Sequence, residues 1–146
     1  MKNELHIVCP HCQSINSVPA AKLADRPNCG RCQQPLFTGE PIELTTATFS
    51  RHVERRDLPL LVDFWVHSCG TCKMMEPPFQ QAARQLEPGI RLAKVNTEAE
   101  PHLAAQFGIR SIQTLALFQG GREIARQAGV MGAKDIVRWT STQVGR

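Results

Sequence analysis

The sequence has none of the long apolar stretches that mark membrane-inserted or exported proteins. No run of apolar residues approaches the roughly 18 that a membrane-spanning helix requires. The first residues, MKNELHIVCPHC, contain no apolar segment ahead of a small-residue cleavage site, so no signal peptide is indicated. We therefore predict a cytoplasmic protein that has no membrane partner and whose thiols stay reduced.

The sequence is also short of the features by which proteins bind nucleic acids. Aromatic residues make up 5% of the chain, and it has neither an aromatic platform motif nor a basic run. The formal net charge is +4, but the 17 Lys and Arg residues are scattered among 13 Asp and Glu residues. Arg26 and Arg31 lie near the amino-terminal cysteines, which is too little basic charge for a phosphate-binding surface. We predict a solvated surface without a nucleic-acid partner.

Cysteine, in contrast, is plentiful and regularly spaced. The 6 cysteines fall into three C-x-x-C pairs, a pattern that indicates metal or redox chemistry rather than a disulfide framework in a reduced compartment. The two amino-terminal pairs are about 16 residues apart, which is typical of a zinc site with four thiolate ligands. The predicted ligands are Cys9, Cys12, Cys29 and Cys32.

The segment that carries these two pairs is too small and too polar to fold on a core of its own. Residues 1–40 contain few apolar side chains, so they need a metal to hold them together. Because four thiolates fill a tetrahedral shell, we predict a structural Zn²⁺ in a zinc-ribbon domain of residues 1–40. Gly30 is expected to supply a positive φ in the second knuckle. Two alternatives stay open: the CPHC pair as an oxidising dithiol, and His11 as a ligand in place of a cysteine.

Residues 41–146 show the alternation of helices and strands that is typical of an α/β domain. The run from Leu60 to Val66, apolar except for Asp63, predicts a fully buried strand. The predicted order is helix, strand, helix, strand, helix, strand, strand and helix, with a short additional strand at residues 42–44. Gly120 and Gly121 predict a hairpin turn between the last two strands, and Pro77 predicts a kink in the second helix.

The third C-x-x-C pair lies where the buried strand leads into this second helix. A cysteine at a helix N-terminus has its thiolate favoured and its pKa lowered. We assign Cys69 as the nucleophile and Cys72, one turn later, as the resolving thiol. Asp63 lies within the apolar strand, where burial should raise its pKa, and is the candidate proton acceptor for Cys72. The alternatives are local hydrogen bonds that satisfy Asp63, and an ion pair between Asp63 and Lys94.

These residues resemble the thioredoxin family. The resemblance rests on Val62-Asp63-Phe64-Trp65, Cys69-Gly70-Thr71-Cys72-Lys73, Lys94-Val95-Asn96, residues 107–112 and the hairpin from Phe118 to Gly120. It covers the chain from about residue 42 to the end, and the cysteine-rich segment before it resembles thioredoxin 2, the form with a zinc-binding extension. The resemblance implies a thioredoxin fold at residues 41–146, with a central mixed sheet flanked by helices.

The resemblance also implies an activity and its partners. It implies a thiol–disulfide oxidoreductase that reduces oxidised protein substrates through Cys69 and Cys72. Such an enzyme binds no organic cofactor and is recharged by an NADPH-dependent thioredoxin reductase. The implied substrate groove is formed by Trp65, Gly70, Thr71, Ile112, Gln113 and Gly129.

Two positions depart from the family pattern. The family has proline where this chain has Thr71, and a cis-proline where it has Gln113. A cis bond before a residue other than proline costs about 2.5–4 kcal/mol, so we expect a trans Ile112–Gln113 bond and a reshaped groove. We predict an attenuated reductase. The alternatives are a redox-attenuated binding module, whose zinc ribbon and altered groove hold a protein partner, and a metal or iron–sulfur cluster at the central dithiol.

Overall fold

The computed structural model describes residues 4–54, 57–66, 73–109 and 113–144. In these ranges the elements are, in chain order, β1 (Glu4–Val8), β2 (Ile15–Pro19), a 3₁₀ helix (Ala20–Asp25), β3 (Ile42–Glu43), α1 (Thr46–Glu54), β4 (Leu60–Trp65), α2 (Glu76–Leu86), β5 (Arg91–Asn96), α3 (Pro101–Gln106), β6 (Thr114–Gln119), β7 (Arg122–Ala128) and α4 (Ala133–Gln143). Across the same ranges, no helix combines the length and apolar character needed to cross a bilayer.

The five-stranded main sheet has the strand order β3-β5-β4-β6-β7, so β4 lies at its centre. β4 pairs in parallel with β5 and antiparallel with β6, which makes the sheet mixed. The residues of β4 from Leu60 to Phe64 are all buried. The predicted fully buried strand is therefore confirmed, although it ends at Trp65 rather than at Val66.

The side chains of β4 alternate between two hydrophobic clusters, as the two-residue period of a strand requires. One cluster contains Leu60, Val62 and Phe64 and is closed by residues of α1 and α3. The opposite cluster contains Leu61 and is closed by residues of α2 and α4. Asp63 lies two residues after Leu61, so its side chain is on the same face of the sheet, the one that α2 and α4 cover.

Helix α2 begins at Glu76, and Pro77 and Pro78 lie in its first turn. Lys73 is also helical, so the helical chain is interrupted between Lys73 and Glu76, and the predicted kink takes the form of a break directly before Pro77. Pro77 lacks the N–H that would bond to the carbonyl of Lys73, and its fixed φ suits the first turn of the segment that follows. Met74 and Met75, directly before the helix, form a turn.

The amino-terminal segment folds around its cysteines and packs against the main sheet and its helices. β1 and β2 form a separate antiparallel pair. Ile7 and Leu36 join the cysteines in a third hydrophobic cluster, which also contains Leu58 from the loop before β4. His52 of α1 is fully buried, and its Nε2 lies 2.6 Å from Oε1 of Gln13 in the amino-terminal segment. These contacts join the two parts of the chain.

Arg91, at the start of β5, is a fully buried cation between the two parts. Its Nη2 donates a hydrogen bond of 2.5 Å to the carbonyl oxygen of Leu36, and its guanidinium lies 4.3 Å from the ring centroid of Phe37. Its Nη1 lies 3.5 Å from Oε2 of Glu87, whose Oε1 accepts a hydrogen bond from the Gly39 N–H. Burial lowers the pKa of Arg91, and the Glu87 carboxylate opposes that lowering. The cation thus links residues 36–39 to the end of α2.

Replacing Arg91 by Met should destabilise the protein by about 3 kcal/mol, because the Glu87 carboxylate would stay buried without its cation. Urea unfolding of the full chain, followed by circular dichroism, measures this loss. Arg122→Met is the matched control, since Arg122 is exposed at the start of β7 and its loss should cost less than about 0.5 kcal/mol. Equal losses in the two variants would contradict the role of Arg91 as a buried link.

Candidate functional site

The predicted dithiol, Cys69 and Cys72, lies outside the described residues, and so do Gly70, Thr71 and Ile112. Because the Ile112–Gln113 bond involves one of them, its expected trans geometry stays a prediction. The predicted site residues that the structure describes form two groups. Asp63 and Trp65 lie in the main sheet with Gln113 and Gly129 directly beside its strands, and the four cysteines belong to the amino-terminal segment.

Asp63 is buried in the central strand, with 3% of its surface exposed. Its neighbours across the sheet are Lys94 on β5 and Leu115 on β6. Burial raises the pKa of its carboxyl from 3.8 to about 7, against the opposing effects of a Gln113 hydrogen bond and the Lys94 charge, while the Glu76 carboxylate adds to the rise. The rise expected from the sequence is present. A carboxyl that titrates near neutral pH can both accept and release a proton under physiological conditions.

Gln113 directly precedes β6 and is as buried as Asp63, with 3% of its surface exposed. Its side-chain Nε2 donates a hydrogen bond to Oδ1 of Asp63. Its backbone carbonyl accepts a hydrogen bond of 2.9 Å from the N–H of Gly129, the residue after β7. Its Oε1 has no hydrogen-bond partner within the described part of the chain.

Sequence reasoning assigned Gln113 to the groove and missed its contact with Asp63. Leu115 stands opposite Asp63 in the antiparallel pairing of β4 and β6. Gln113 lies two residues before Leu115, so it shares its face and is the diagonal neighbour of Asp63. The two-residue period of the strands therefore indicates that the side chains of Gln113 and Asp63 share one face of the sheet. The missing information was the register of β6 on β4, which depends on pairing between distant parts of the chain.

Lys94 stands beside Asp63 in the sheet, but the ion pair that the structure shows for it is with Glu76 of α2. The distance from its Nζ to Glu76 Oε1 is 3.6 Å. Next to this ion pair is a cavity of about 20 Å³, which is lined by Asp63, Trp65, Lys73, Glu76 and Lys94. Such a volume is large enough for one water molecule. The cavity connects the Asp63 carboxyl with Lys73, the residue that follows Cys72 in the sequence.

The four amino-terminal cysteines are gathered in one cluster. Their Sγ atoms all lie within 4.8 Å of one another, with 3.6 Å between Cys9 and Cys32 and 3.6 Å between Cys12 and Cys29. Four sulfurs placed about 2.3 Å from a tetrahedral Zn²⁺ would be about 3.8 Å apart, so the cluster fits this ion. The cluster contains the four predicted cysteines and does not include His11.

Each of the two amino-terminal C-x-x-C pairs forms a turn in which backbone N–H groups point at a sulfur. In the first turn, the N–H groups of His11 and Cys12 lie 3.3 and 3.5 Å from Sγ of Cys9, and the second turn repeats this pattern around Cys29 at 3.4 and 3.5 Å. The N–H of Cys32 is the largest influence that lowers the pKa of Cys29 to about 6, whereas burial raises the pKa of Cys9 to about 12. A cation at the centre would offset the cost of a buried thiolate at Cys9.

The positive φ expected at Gly30 is found elsewhere. Gln13 and Gln33, the residues directly after the two pairs, each have a φ of 67°. Their side-chain Nε2 atoms each donate a hydrogen bond of 3.2 Å to a carbonyl oxygen three residues earlier. The expectation for Gly30 is wrong because the left-handed residue of each knuckle follows the second cysteine, where a glutamine amide stabilises the turn.

The mixed sheet with helices on both faces, together with the four-cysteine cluster, defines a thioredoxin-fold protein with an amino-terminal zinc-ribbon segment. Comparison with known families supports this description. The family model described as Thioredoxin matches residues 40–142, and the model described as Thioredoxin 2, N-terminal, matches residues 8–34. The chain belongs to the thioredoxin family, with the amino-terminal segment of thioredoxin 2.

Individual relatives agree with this assignment. Thioredoxin C-3 of Corynebacterium nephridii is 46% identical over 138 residues, which cover 94% of each chain. Thioredoxin 1 of a Nostoc species is 43% identical over 89 residues, or 61% of this chain and 83% of that one. A solved thioredoxin from Halobacterium salinarum covers 75% of this chain and 96% of its own with a TM-score of 0.66; at 22% identity, that likeness concerns the fold alone. Family membership supports a thiol–disulfide oxidoreductase.

Asp63→Asn should raise the free energy of unfolding, and by more at pH 8 than at pH 5. Because the folded-state pKa of Asp63 is raised from 3.8 to about 7, the unfolded chain ionises first and stability is lost as the pH rises through this window. Asparagine stays neutral and keeps an oxygen that can accept the Gln113 hydrogen bond. We expect a gain of about 2–4 kcal/mol at pH 8.

Urea unfolding of the reduced protein at both pH values measures this gain. Asp25→Asn is the matched control, because Asp25 is exposed and its replacement should change stability by less than about 0.5 kcal/mol. A gain in Asp63→Asn that is the same at pH 5 and pH 8 would contradict a buried carboxyl with a raised pKa.

Proposed function

We propose that the protein is an enzyme that reduces disulfide bonds in other proteins through Cys69 and Cys72. The observation that carries this proposal is the buried Asp63 carboxyl, which titrates near neutral pH and shares a cavity with Lys73. Cys72 directly precedes Lys73, and consecutive Cα atoms are about 3.8 Å apart. We therefore propose Asp63 as the proton acceptor for the resolving thiol.

In the proposed mechanism the Cys69 thiolate attacks one sulfur of the substrate disulfide. A bond forms between Cys69 and that sulfur, the substrate S–S bond breaks, and the first substrate thiolate leaves. Cys72 then gives its proton to the Asp63 carboxylate, directly or through a water in the cavity. The Cys72 thiolate attacks the Cys69 sulfur and the second substrate thiolate leaves. The substrate gains two electrons, and the enzyme is left with a Cys69–Cys72 disulfide.

The oxidised enzyme must be returned to its dithiol form. We propose that an NADPH-dependent thioredoxin reductase supplies the two electrons, in a cytoplasm that keeps thiols reduced. The proposed substrates are oxidised proteins, which lie in a groove that includes Trp65, Gly70, Thr71, Ile112, Gln113 and Gly129. The backbone hydrogen bond between Gly129 and Gln113 supports a groove shared by these two residues.

The proposed role of the amino-terminal cysteines is structural. Cys9, Cys12, Cys29 and Cys32 would hold one Zn²⁺ in a closed tetrahedral shell, which leaves no position for a substrate. The spacing of their sulfurs supports this assignment. In this proposal residues 1–40 form the zinc-ribbon domain and residues 41–146 form the thioredoxin domain, with no organic cofactor in either.

Metal analysis of the purified chain should find one Zn²⁺ per chain. Most of it should be lost in Cys29→Ser, because three thiolates leave the shell open. Cys72→Ser is the matched control and should keep the full zinc content, since Cys72 is not a proposed ligand. Zinc that is lost from Cys72→Ser but kept in Cys29→Ser would contradict the assignment and favour metal at the central dithiol.

Insulin reduction coupled to NADPH and thioredoxin reductase tests the activity. Cys69→Ser should abolish the reaction, because it removes the nucleophile. Thr71→Pro should raise the rate by up to about tenfold, the effect of about 1.4 kcal/mol on the barrier, because it restores the family pattern within the dithiol motif. An unchanged rate in Thr71→Pro would contradict the attenuation.

Trapping separates the reductase from the binding-module alternative. Cys72→Ser should accumulate a mixed disulfide with oxidised substrate, because the substrate bound to Cys69 has no resolving thiol to release it. A wild-type chain without reductase activity, together with a Cys72→Ser variant that traps nothing, would contradict the proposed function.

A further inference from the structure

Gln113 replaces a proline of the family pattern and changes the surroundings of Asp63. Its side chain occupies the same buried face as Asp63, and its Nε2 donates a hydrogen bond to Oδ1 of the carboxyl. A proline has no side-chain donor and would leave that oxygen without this bond. The contact is therefore a property of this chain's own sequence.

We propose that Gln113 is a positioning residue whose amide hydrogen bond holds the Asp63 carboxylate and keeps it ionised to a lower pH. A donor that bonds to a carboxylate stabilises the charged form relative to the neutral form. Both side chains are 3% exposed, so bulk water does not compete for this bond. The effect on catalysis rests on the proposed role of Asp63 as proton acceptor for Cys72.

The other groups around Asp63 act in opposing directions. Burial favours the neutral acid, and so does the Glu76 carboxylate of α2. Lys94 on β5 favours the carboxylate, but it is paired with Glu76 at 3.6 Å. Lys73 adds a positive charge at the wall of the cavity, and the neighbour on β6, Leu115, is apolar. The hydrogen bond from Gln113 acts on the carboxyl directly, whereas the charges of Lys94 and Glu76 partly cancel.

This hydrogen bond affects the second half of the reaction. Cys72 can pass its proton to Asp63 only while Asp63 is ionised. With the amide of Gln113 in place, this condition holds to a lower pH. Without the amide, a larger share of Asp63 is protonated at neutral pH, and release of the substrate from Cys69 becomes slower there.

NMR titration of the Asp63 carboxyl carbon in the reduced full chain tests the inference, with Asp63→Asn used to assign the signal. Gln113→Met removes the amide and keeps an unbranched side chain of similar length. Gln113→Pro removes it with the residue of the family pattern, and keeps the carbonyl that accepts from Gly129. Both variants should raise the Asp63 midpoint by about one pH unit. Gln106→Met, at the exposed last residue of α3, is the matched control and should leave the midpoint unchanged.

An unchanged midpoint in either folded Gln113 variant would overturn the proposal. A second readout is the pH dependence of substrate-thiol release from a preformed mixed disulfide at Cys69. In both Gln113 variants the low-pH fall of this release rate should shift to higher pH by the same amount as the Asp63 midpoint. If the midpoint rises and the low-pH fall stays in place, the effect of Gln113 on Asp63 is supported, and the proton transfer from Cys72 to Asp63 is contradicted.

Discussion

The burial of one carboxyl in the middle of the main sheet is the constraint on which the rest of the structure depends. β4 is covered on both faces, so Asp63 has no direct access to bulk water. A buried carboxylate is costly unless it is hydrogen-bonded or paired, and the chain supplies the Gln113 amide and the nearby charge of Lys94. The same burial that lowers stability at high pH gives the carboxyl a pKa of about 7, which suits proton transfer under physiological conditions.

The parts of the fold that the sequence predicted are those whose signals are local. The apolar run at residues 60–66 predicted the central strand, and the Gly-Gly pair predicted the hairpin between β6 and β7. The cysteine spacing predicted the cluster, because thiolates at the two ends of a short knuckle converge on one point. Pro77 predicted the interruption of the helix between Lys73 and Glu76, since a proline lacks the N–H that would bond to the carbonyl four residues earlier.

The contacts that the sequence did not predict join residues that are far apart in the chain. Arg91 and the Leu36 carbonyl are separated by 55 residues, and Gln113 and Asp63 by 50. Periodicity shows which face a side chain occupies, but it does not show which strand lies opposite or how the ribbon packs on the sheet. In both cases a buried polar side chain is the sign of a partner elsewhere, and pairing register is needed to identify that partner.

The position of Trp65 has a practical consequence for spectroscopy. The chain contains 2 Trp and 0 Tyr, and the second tryptophan, Trp139, packs against the cluster of α2 and α4. Trp65 lines the cavity beside Asp63, so both indole rings lie on the same side of the sheet. Intrinsic fluorescence therefore senses events near the carboxyl directly, whereas loosening of the cysteine-rich segment, which has no indole of its own, calls for a different optical probe.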